Sequence, residues 1–160
     1  MIFGCMHRFV EHLAPLRNVF DRRGGDMLLT ASHDRTAILW NAESGECIRT
    51  YAGHRACVLS ATFSPDGGLV LTASGDHTAK LWGTESGDCL RTLEGHSDDV
   101  SSAEFSTNGA LVITASQDRS AKLWSAESGE CFRTLDGHQD ADISRLPRRT
   151  AVSRGPQGSA

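Results

Sequence analysis

The sequence predicts an all-β chain of repeated four-stranded antiparallel units, and three observations support this fold class. The same short motifs return every 42 residues along the chain. Between them lie short segments in which apolar and polar residues alternate, which is the pattern of half-buried strands. No segment carries apolar residues at sustained helical spacing, so the units consist of strands joined by turns.

The 42-residue period is carried by four motifs. They are Leu-Trp at 39–40, 81–82 and 123–124, Thr-Ala-Ser at 30–32, 72–74 and 114–116, Glu-Ser-Gly at 43–45, 85–87 and 127–129, and Gly-His at 53–54, 95–96 and 137–138. Residues 53–94 laid over 95–136 without a gap agree at 25 of 42 positions. The chain is therefore an array of one duplicated unit.

Each unit is interpreted as a meander of four short strands separated by turn sequences. In the unit 53–94 the predicted strands are residues 57–64, 69–74, 78–82 and 89–93. Pro65 and Gly67 set a tight turn after the first strand, and Gly75 to His77 turn the chain after the second. A third turn, at residues 85–88, precedes the fourth strand and completes the antiparallel order.

Composition narrows the class of protein. With 39% hydrophobic and 22% charged residues, the chain is neither a disordered acidic chain nor a membrane protein. The N-terminal residues have no secretory pattern, so the cytoplasm or nucleus is expected. The five cysteines show no paired metal-ligand spacing, and their odd number favours reduced thiols. Cys47, Cys89 and Cys131 occupy equivalent positions, where we expect small buried side chains.

The net charge of −4 is unevenly distributed. Residues 144–160 contain four arginines and no acid, which leaves −8 for the remainder of the chain. An acidic body argues against nucleic acid as the main ligand, because phosphate binding requires a basic face.

A unit of about 40–45 residues with Gly-His near one end and Trp after its third strand is the WD-repeat signature. On these motifs the chain resembles the WD40 β-propeller family over about residues 4–143. The resemblance implies a partial β-propeller of about three four-stranded blades, with an incomplete ring. One departure recurs, because Asn41, Gly83 and Ser125 replace the aspartate that usually follows the tryptophan.

The period also divides the chain. We expect complete repeats at 13–52, 53–94 and 95–136, of which the first is degenerate at its start. Before them, residues 1–12 are the last strand of a truncated preceding blade. After them come the start of a truncated repeat at 137–143 and a disordered Arg-rich tail at 144–160. Propellers typically close with 4–8 blades, so three leave open sheet edges that tend to pair. A fragment of a longer propeller, assembly with other chains into a complete ring, and a self-stable arc all remain open.

Each unit also contains the residue types of a hydrolase, with Ser74 as nucleophile, His54 as base and Asp76 as orienting acid. Three copies of the set count against this hypothesis, since active sites are single, and no Gly-x-Ser-x-Gly elbow is present. Histidines one blade apart cannot share a zinc ion. We therefore expect no catalytic residue, no metal and no cofactor.

The family resemblance implies instead a hydrogen-bonded chain in each blade, from Trp to Ser or Thr to His to Asp. With serine in the second place, the chains are Trp40–Ser32–His12–Asp34, Trp82–Ser74–His54–Asp76 and Trp124–Ser116–His96–Asp118. A buried indole N–H needs an acceptor, which fits this role. The chain in the first unit is weaker, because Glu11 replaces the glycine before His12.

Residues that change between units are free to recognise a partner, and the resemblance places them on one face of loops. The candidates are His33, Arg35, Arg55, His77, Asp98, Asp99, Gln117 and Arg119. Arg35, Arg55, His77 and Arg119 would form a basic strip suited to an acidic or phosphorylated peptide. For each residue taken singly, solvated loop charge is the simpler interpretation.

The sequence thus predicts a non-catalytic scaffold for protein–protein interaction. Its expected partners are proteins or acidic or phosphorylated peptides, and other propeller chains that complete the ring; no membrane partner is expected. One alternative is a fragment of a larger WD-repeat regulatory protein, of the signalling, ubiquitin-ligase or ciliary-assembly type, without independent activity. A Ser/His/Asp hydrolase is a more distant one.

Overall fold

A computed structural model describes residues 16–21, for which only the backbone is considered, and 25–137. The predictions for 1–12, for the tail at 144–160 and for His12 lie outside these residues, as does most of 137–143.

The described residues form three four-stranded antiparallel sheets. The first contains β1 (Leu16–Asp21), β2 (Met27–Ser32), β3 (Thr36–Asn41) and β4 (Cys47–Ala52). The second contains β5 (Val58–Phe63), β6 (Leu69–Ser74), β7 (Ala79–Gly83) and β8 (Cys89–Leu93). The third contains β9 (Val100–Phe105), β10 (Leu111–Ser116), β11 (Ser120–Ser125) and β12 (Cys131–Asp136). The prediction of an all-β fold built from four-stranded meanders is confirmed.

The three sheets pack face to face in chain order. Strand β5 contacts β1 and β2, and β9 contacts β5 and β6. The first strand of each sheet thus lies next to the first strand of the neighbouring sheet. Within the described part of the chain, no helix is long and apolar enough to span a membrane.

The core lies between the sheets rather than within one of them. Between the first and second sheets it consists of Leu29, Ala31, Ala37, Leu39, Tyr51, Val58, Ala61, Phe63, Val70 and Trp82. Between the second and third sheets it consists of Leu71, Ala73, Ala79, Leu81, Leu93, Val100, Ala103, Val112 and Trp124. The second sheet therefore buries one face against the first sheet and the other against the third.

Arginines on the fourth strands fix the position of the next sheet. Arg49 Nη2 donates to the backbone oxygen of Glu85, and Arg91 Nε donates to that of Glu127 at 3.1 Å. Gly129, in the turn that follows, has φ +77° and would bring a Cβ within 3.2 Å of Arg91 Cδ. The Glu-Ser-Gly turns are thus contact points between sheets as well as turns.

The expected burial of the repeated cysteines is wrong. Cys89 and Cys131 are exposed, and Cys47 is half-buried. They begin the fourth strand of each sheet, opposite the tryptophan and beside a register shift, as in the pair Trp82 and Cys89. On the same strands Tyr51 and Leu93 are fully buried against the next sheet, so the exposed cysteine lies at the end of the strand that this sheet does not cover.

Candidate functional site

A chain of three hydrogen bonds, the first two of them buried, runs through the second sheet. The indole Nε1 of Trp82 donates to Thr72 Oγ1 at 2.8 Å. Thr72 Oγ1 lies 2.7 Å from His54 Nε2, and His54 Nδ1 lies 2.8 Å from Asp76 Oδ2. The chain connects the core between sheets to the loops at one end of the second sheet.

The third sheet repeats this arrangement. Trp124 Nε1 donates to Thr114 Oγ1 at 2.8 Å, and Thr114 Oγ1 lies 2.7 Å from His96 Nε2. His96 Nδ1 lies 2.7 Å from Asp118 Oδ2. In the first sheet Trp40 Nε1 donates to Thr30 Oγ1 at 2.8 Å.

The hydroxyl in these chains belongs to threonine, which corrects the expectation of serine. Ser74 Oγ instead donates to the Ala56 backbone oxygen at 3.2 Å and accepts from the Asp76 amide at 3.1 Å. Ser116 makes the same two contacts, with the Asp98 oxygen and the Asp118 amide, both at 3.1 Å. Ser32 accepts from the Asp34 amide at 3.2 Å. The serines thus form hydrogen bonds with the loop backbone and not with the tryptophan network.

Strand register explains the difference. Trp82 lies opposite Val70, so Thr72 is two residues along the same face and Ser74 is four. At roughly 3.3 Å per residue, Ser74 lies about 13 Å along the strand, beyond the reach of an indole. The sequence held the necessary signal, because a turn centred on Asp76 sets Ala73 opposite Ala79 and hence fixes the whole register.

The hydrogen-bond pattern and the lowered pKa of His54 together favour a neutral imidazole with its proton on Nδ1. Asp76 can only accept, so His54 Nδ1–H donates to it, and His54 Nε2 then accepts from the Thr72 hydroxyl. Thr72 Oγ1 in turn accepts from Trp82. Burial lowers the pKa of His54, against the opposing effect of the Asp76 carboxylate. Every polar atom of the chain is paired in this state.

Asp76 joins two loops through both of its carboxylate oxygens. Oδ1 accepts from the amide and the hydroxyl of Thr78, at 3.0 and 2.7 Å. Oδ2 accepts from the Arg55 amide at 2.9 Å as well as from His54. Burial acts to raise the pKa of Asp76, but these hydrogen bonds outweigh it and lower the pKa to about 2. The carboxylate is thus ionised and holds residues 53–57 against residues 75–78.

The Thr72–His54–Asp76 arrangement has the connectivity of a hydrolase triad but lacks access. Thr72 is 1% exposed and His54 is 6% exposed. Both ring nitrogens of His54 are occupied, and Ser74 contacts neither of them. A nucleophile must reach a substrate carbonyl, which a hydroxyl buried beneath an indole cannot do.

Two sets of loops come together at the same end of the sheets, and we call the surface they form the loop face. It comprises residues 33–35, 53–57, 75–78, 94–99 and 117–119. Ser74 Oγ joins the second and third of these segments, and the Gln117 amide donates to the Asp99 oxygen at 2.9 Å to join the last two. Arg35, Arg55, His77, Asp98, Gln117 and Arg119 are exposed there, whereas His33 and Asp99 are half-buried.

Three candidate residues share an unusual backbone conformation. Arg35, His77 and Arg119 have φ values of 75°, 70° and 70°. A residue with a Cβ pays roughly 1–2 kcal/mol for this left-handed region, where glycine is favoured. Each follows the turn aspartate of its sheet directly, and each carries a long side chain that is exposed to solvent.

His77 lies beside the loop that leads to the third sheet. Its Nε2 is 3.8 Å from Asp99 Oδ1, and about half of each side chain is exposed. Potential ligand atoms of His77, Asp98 and Asp99 all lie within 4.8 Å of one another, so this is where the described residues could hold a cation. The predicted basic strip is therefore interrupted by two carboxylates at its centre.

Comparison with known families gives one match that covers most of the chain. The family described as "WD domain, G-beta repeat" matches residues 3–41, 45–83 and 87–125. Each of the last two matches begins just before the fourth strand of one sheet and ends after the third strand of the next. The repeat of the sequence and the sheet of the structure are thus offset by one strand.

Curated relatives include proteins from several kinds of assembly. Dynein assembly factor with WD repeat domains 1 of Danio rerio is 43% identical over 62 residues, which is 39% of this chain and 15% of that protein. COMPASS component SWD3 of Saccharomyces cerevisiae is 31% identical over 58 residues, 36% of this chain and 18% of that protein. Human Pre-mRNA-processing factor 17 is 31% identical over 64 residues, 39% of this chain and 10% of that protein. The chain thus matches less than a fifth of the length of each relative.

Proposed function

The chain belongs to the WD-repeat family, and from this premise we propose that it is a non-catalytic scaffold that binds proteins or peptide segments through its loop face. Its protein-interaction role is supported by WD-repeat relatives named as a dynein assembly factor and a COMPASS component. The threonine and histidine of the triad-like set are buried in both the second and the third sheet, which favours a structural role for these sets.

The observation that carries the proposal is the left-handed backbone of Arg35, His77 and Arg119. Glycine would relieve the cost of this conformation in all three sheets, yet long polar side chains stand there. Strained positions concentrate where a protein binds or reacts. The hydrogen-bonded aspartates beside them keep these turns rigid, so the side chains are presented with little loss of entropy on binding.

The charges on the loop face favour a partner segment that is acidic or phosphorylated. Arg35, Arg55 and Arg119 are exposed cations, and a guanidinium binds carboxylate or phosphate through paired hydrogen bonds. Asp98 and Asp99 lie between these cations on the loop face, and their carboxylates would repel a ligand that is acidic along its whole length. We therefore propose a segment with two separated acidic or phosphorylated positions, in the cytoplasm or the nucleus.

The test is binding of a fluorescein-labelled peptide with two phosphoserines spaced along an extended backbone, measured by fluorescence anisotropy. Arg119→Ala is expected to weaken binding about tenfold, which corresponds to about 1.4 kcal/mol. Arg133→Ala is the matched control, since it removes the same charge from the same sheet but lies on β12, away from the loop face. Equal binding by both variants would refute the proposed site.

A second candidate function rests on the short matches to the relatives. Because the chain matches less than a fifth of each relative, it could serve as one sector of a longer WD-repeat protein without independent binding. In that case the isolated chain would bind neither the phosphopeptide nor its non-phosphorylated counterpart, while its thermal unfolding would remain cooperative.

A further inference from the structure

The third sheet has one face turned away from the second sheet, and we call it the outer face. Two cross-strand rows of side chains form it. One row consists of Glu104, Ile113, Leu123 and Arg133, and the other of Ser102, Ala115, Ala121 and Leu135. No described strand packs against these rows.

The equivalent faces of the first two sheets are covered. Leu71, Leu81 and Leu93 of the second sheet are at most 1% exposed, and so are Leu29, Leu39 and Tyr51 of the first. In the third sheet Ile113 and Leu123 are half-buried, and Leu135 is 41% exposed. The outer face is therefore an apolar surface of the kind that this fold buries elsewhere.

The exposure of Leu135 differs in kind from that of its neighbour Phe132. Phe132 is 54% exposed, but its equivalents Ile48 and Leu90 are also exposed, at 41% and 44%. That position faces solvent in every sheet, whether or not another sheet follows. Leu135 is the position that a covering surface buries, so Phe132 serves as an internal control for it.

The outer face also carries an acid that its covered equivalent lacks. Its first row reads Glu104, Ile113, Leu123, Arg133, whereas the row of the second sheet reads Thr62, Leu71, Leu81, Arg91, so both rows end in arginine and only the outer one begins with a carboxylate. Glu104 and Arg133 are both exposed, at opposite ends of the row. An acid at one end and a base at the other make the row complementary to itself when reversed.

We propose that the outer face binds the outer face of a second copy of the chain across a twofold axis. The axis reverses the row, so that Glu104 of one copy meets Arg133 of the other twice, and the two leucine-isoleucine pairs meet between them. The strand spacing of roughly 4.8 Å separates the charged ends by about 14 Å in both copies, so the reversed rows coincide. Such isologous contacts are the commonest in homo-oligomers.

The size of the face predicts a weak dimer. Four strands of six residues span about 15 by 20 Å, roughly 300 Å² on each copy, from the usual strand spacing and rise. Stable interfaces bury about 800 Å² per partner. The dimer is therefore reversible and depends on protein concentration.

Sedimentation velocity on the full chain, from about 10 μM to about 1 mM, tests the proposal. The wild-type chain should shift from monomer to dimer within this range. Glu104→Arg and Arg133→Glu should each weaken dimerisation at least about tenfold, because like charges then face each other. The double variant E104R/R133E should restore the wild-type dimer, since the twofold places the exchanged charges opposite each other again.

A matched pair of variants tests the apolar part of the face. Leu135→Asp should abolish the dimer, and Phe132→Asp should leave it unchanged, with circular dichroism showing that both remain folded. A chain that is monomeric at every concentration overturns the proposal. A dimer that the double variant does not restore, or a series of species larger than a dimer, also overturns it and points to docking on a different surface, such as a further blade.

Discussion

Removing the hydroxyl oxygen of Thr72 should lower the free energy of unfolding strongly, because this hydroxyl is hydrogen-bonded to two buried groups. Thr72→Val keeps the shape of the side chain and removes only the hydrogen-bonding oxygen. The indole Nε1 of Trp82 and the imidazole Nε2 of His54 would then both lose their partners. Both residues are buried, at 2% and 6% exposed, so water cannot readily replace the hydroxyl.

The expected loss follows from these two groups. A buried polar group left without a partner costs about 1–3 kcal/mol, so the free energy of unfolding should fall by about 2–4 kcal/mol after partial relaxation. Thr72→Ser keeps the oxygen and removes one methyl group, which costs about 1 kcal/mol. The hydroxyl therefore contributes more than the packing at this position.

Urea unfolding followed by tryptophan fluorescence and by circular dichroism measures both variants against the wild-type chain. The midpoint of Thr72→Val should lie well below that of Thr72→Ser, and the slope should be unchanged. If the two variants unfold at the same midpoint, the threonine hydroxyl does not hold the network together. If Ser74→Ala is the more damaging change, the loop contacts of Ser74 contribute more to stability than the threonine hydroxyl does.

Three further predictions concern single groups. Thr84 Oγ1 is buried with no hydrogen-bond partner among the described residues, so Thr84→Val should raise the free energy of unfolding by about 1 kcal/mol in the same urea assay. Burial lowers the pKa of His54 and of His96, so the unfolded chain takes up protons more readily and thermal stability should decline as the pH falls below about 6.5. Asp76, with its pKa lowered from 3.8 to about 2, should add a second decline below about pH 4, and a melting temperature constant from pH 8 to pH 3 would contradict both assignments. Arg119→Gly should stabilise the chain by about 1 kcal/mol through its left-handed backbone while it weakens phosphopeptide binding, so a loss of stability would count against the strain.

The strands were predictable because the alternation of apolar residues and the turn residues repeat three times. A strand boundary that is ambiguous in one copy can be read from the equivalent positions of the other two. The second sheet follows the predicted segments within a residue or so at nearly every boundary. The network was predictable in its tryptophan, histidine and aspartate members, since these recur at 42 residues. The choice between Thr72 and Ser74 was missed because both recur in the same motif, and only the hairpin register separates them.

Other features could not be inferred from the sequence by itself. The left-handed backbone at His77 depends on the hydrogen bonds that Asp76 accepts, which the residue types alone do not reveal. The exposure of Cys89 depends on where along the fourth strand the next sheet makes contact, and that of Leu135 on which sheet has no successor among the described residues. These are properties of the arrangement of sheets, and identical sequence motifs carry different burial in different copies.

The offset of one strand between the sequence repeat and the sheet has a consequence for how such an array can change its length. Removing residues 45–86, for example, would join β3 directly to β8, and the first sheet would regain a complete set of four strands. The same holds for a 42-residue deletion or duplication that begins at other points within the described repeats, because equivalent positions are exchanged. Gain or loss of 42 residues thus yields whole sheets from many starting points, provided that the two breakpoints lie at equivalent positions of the repeat.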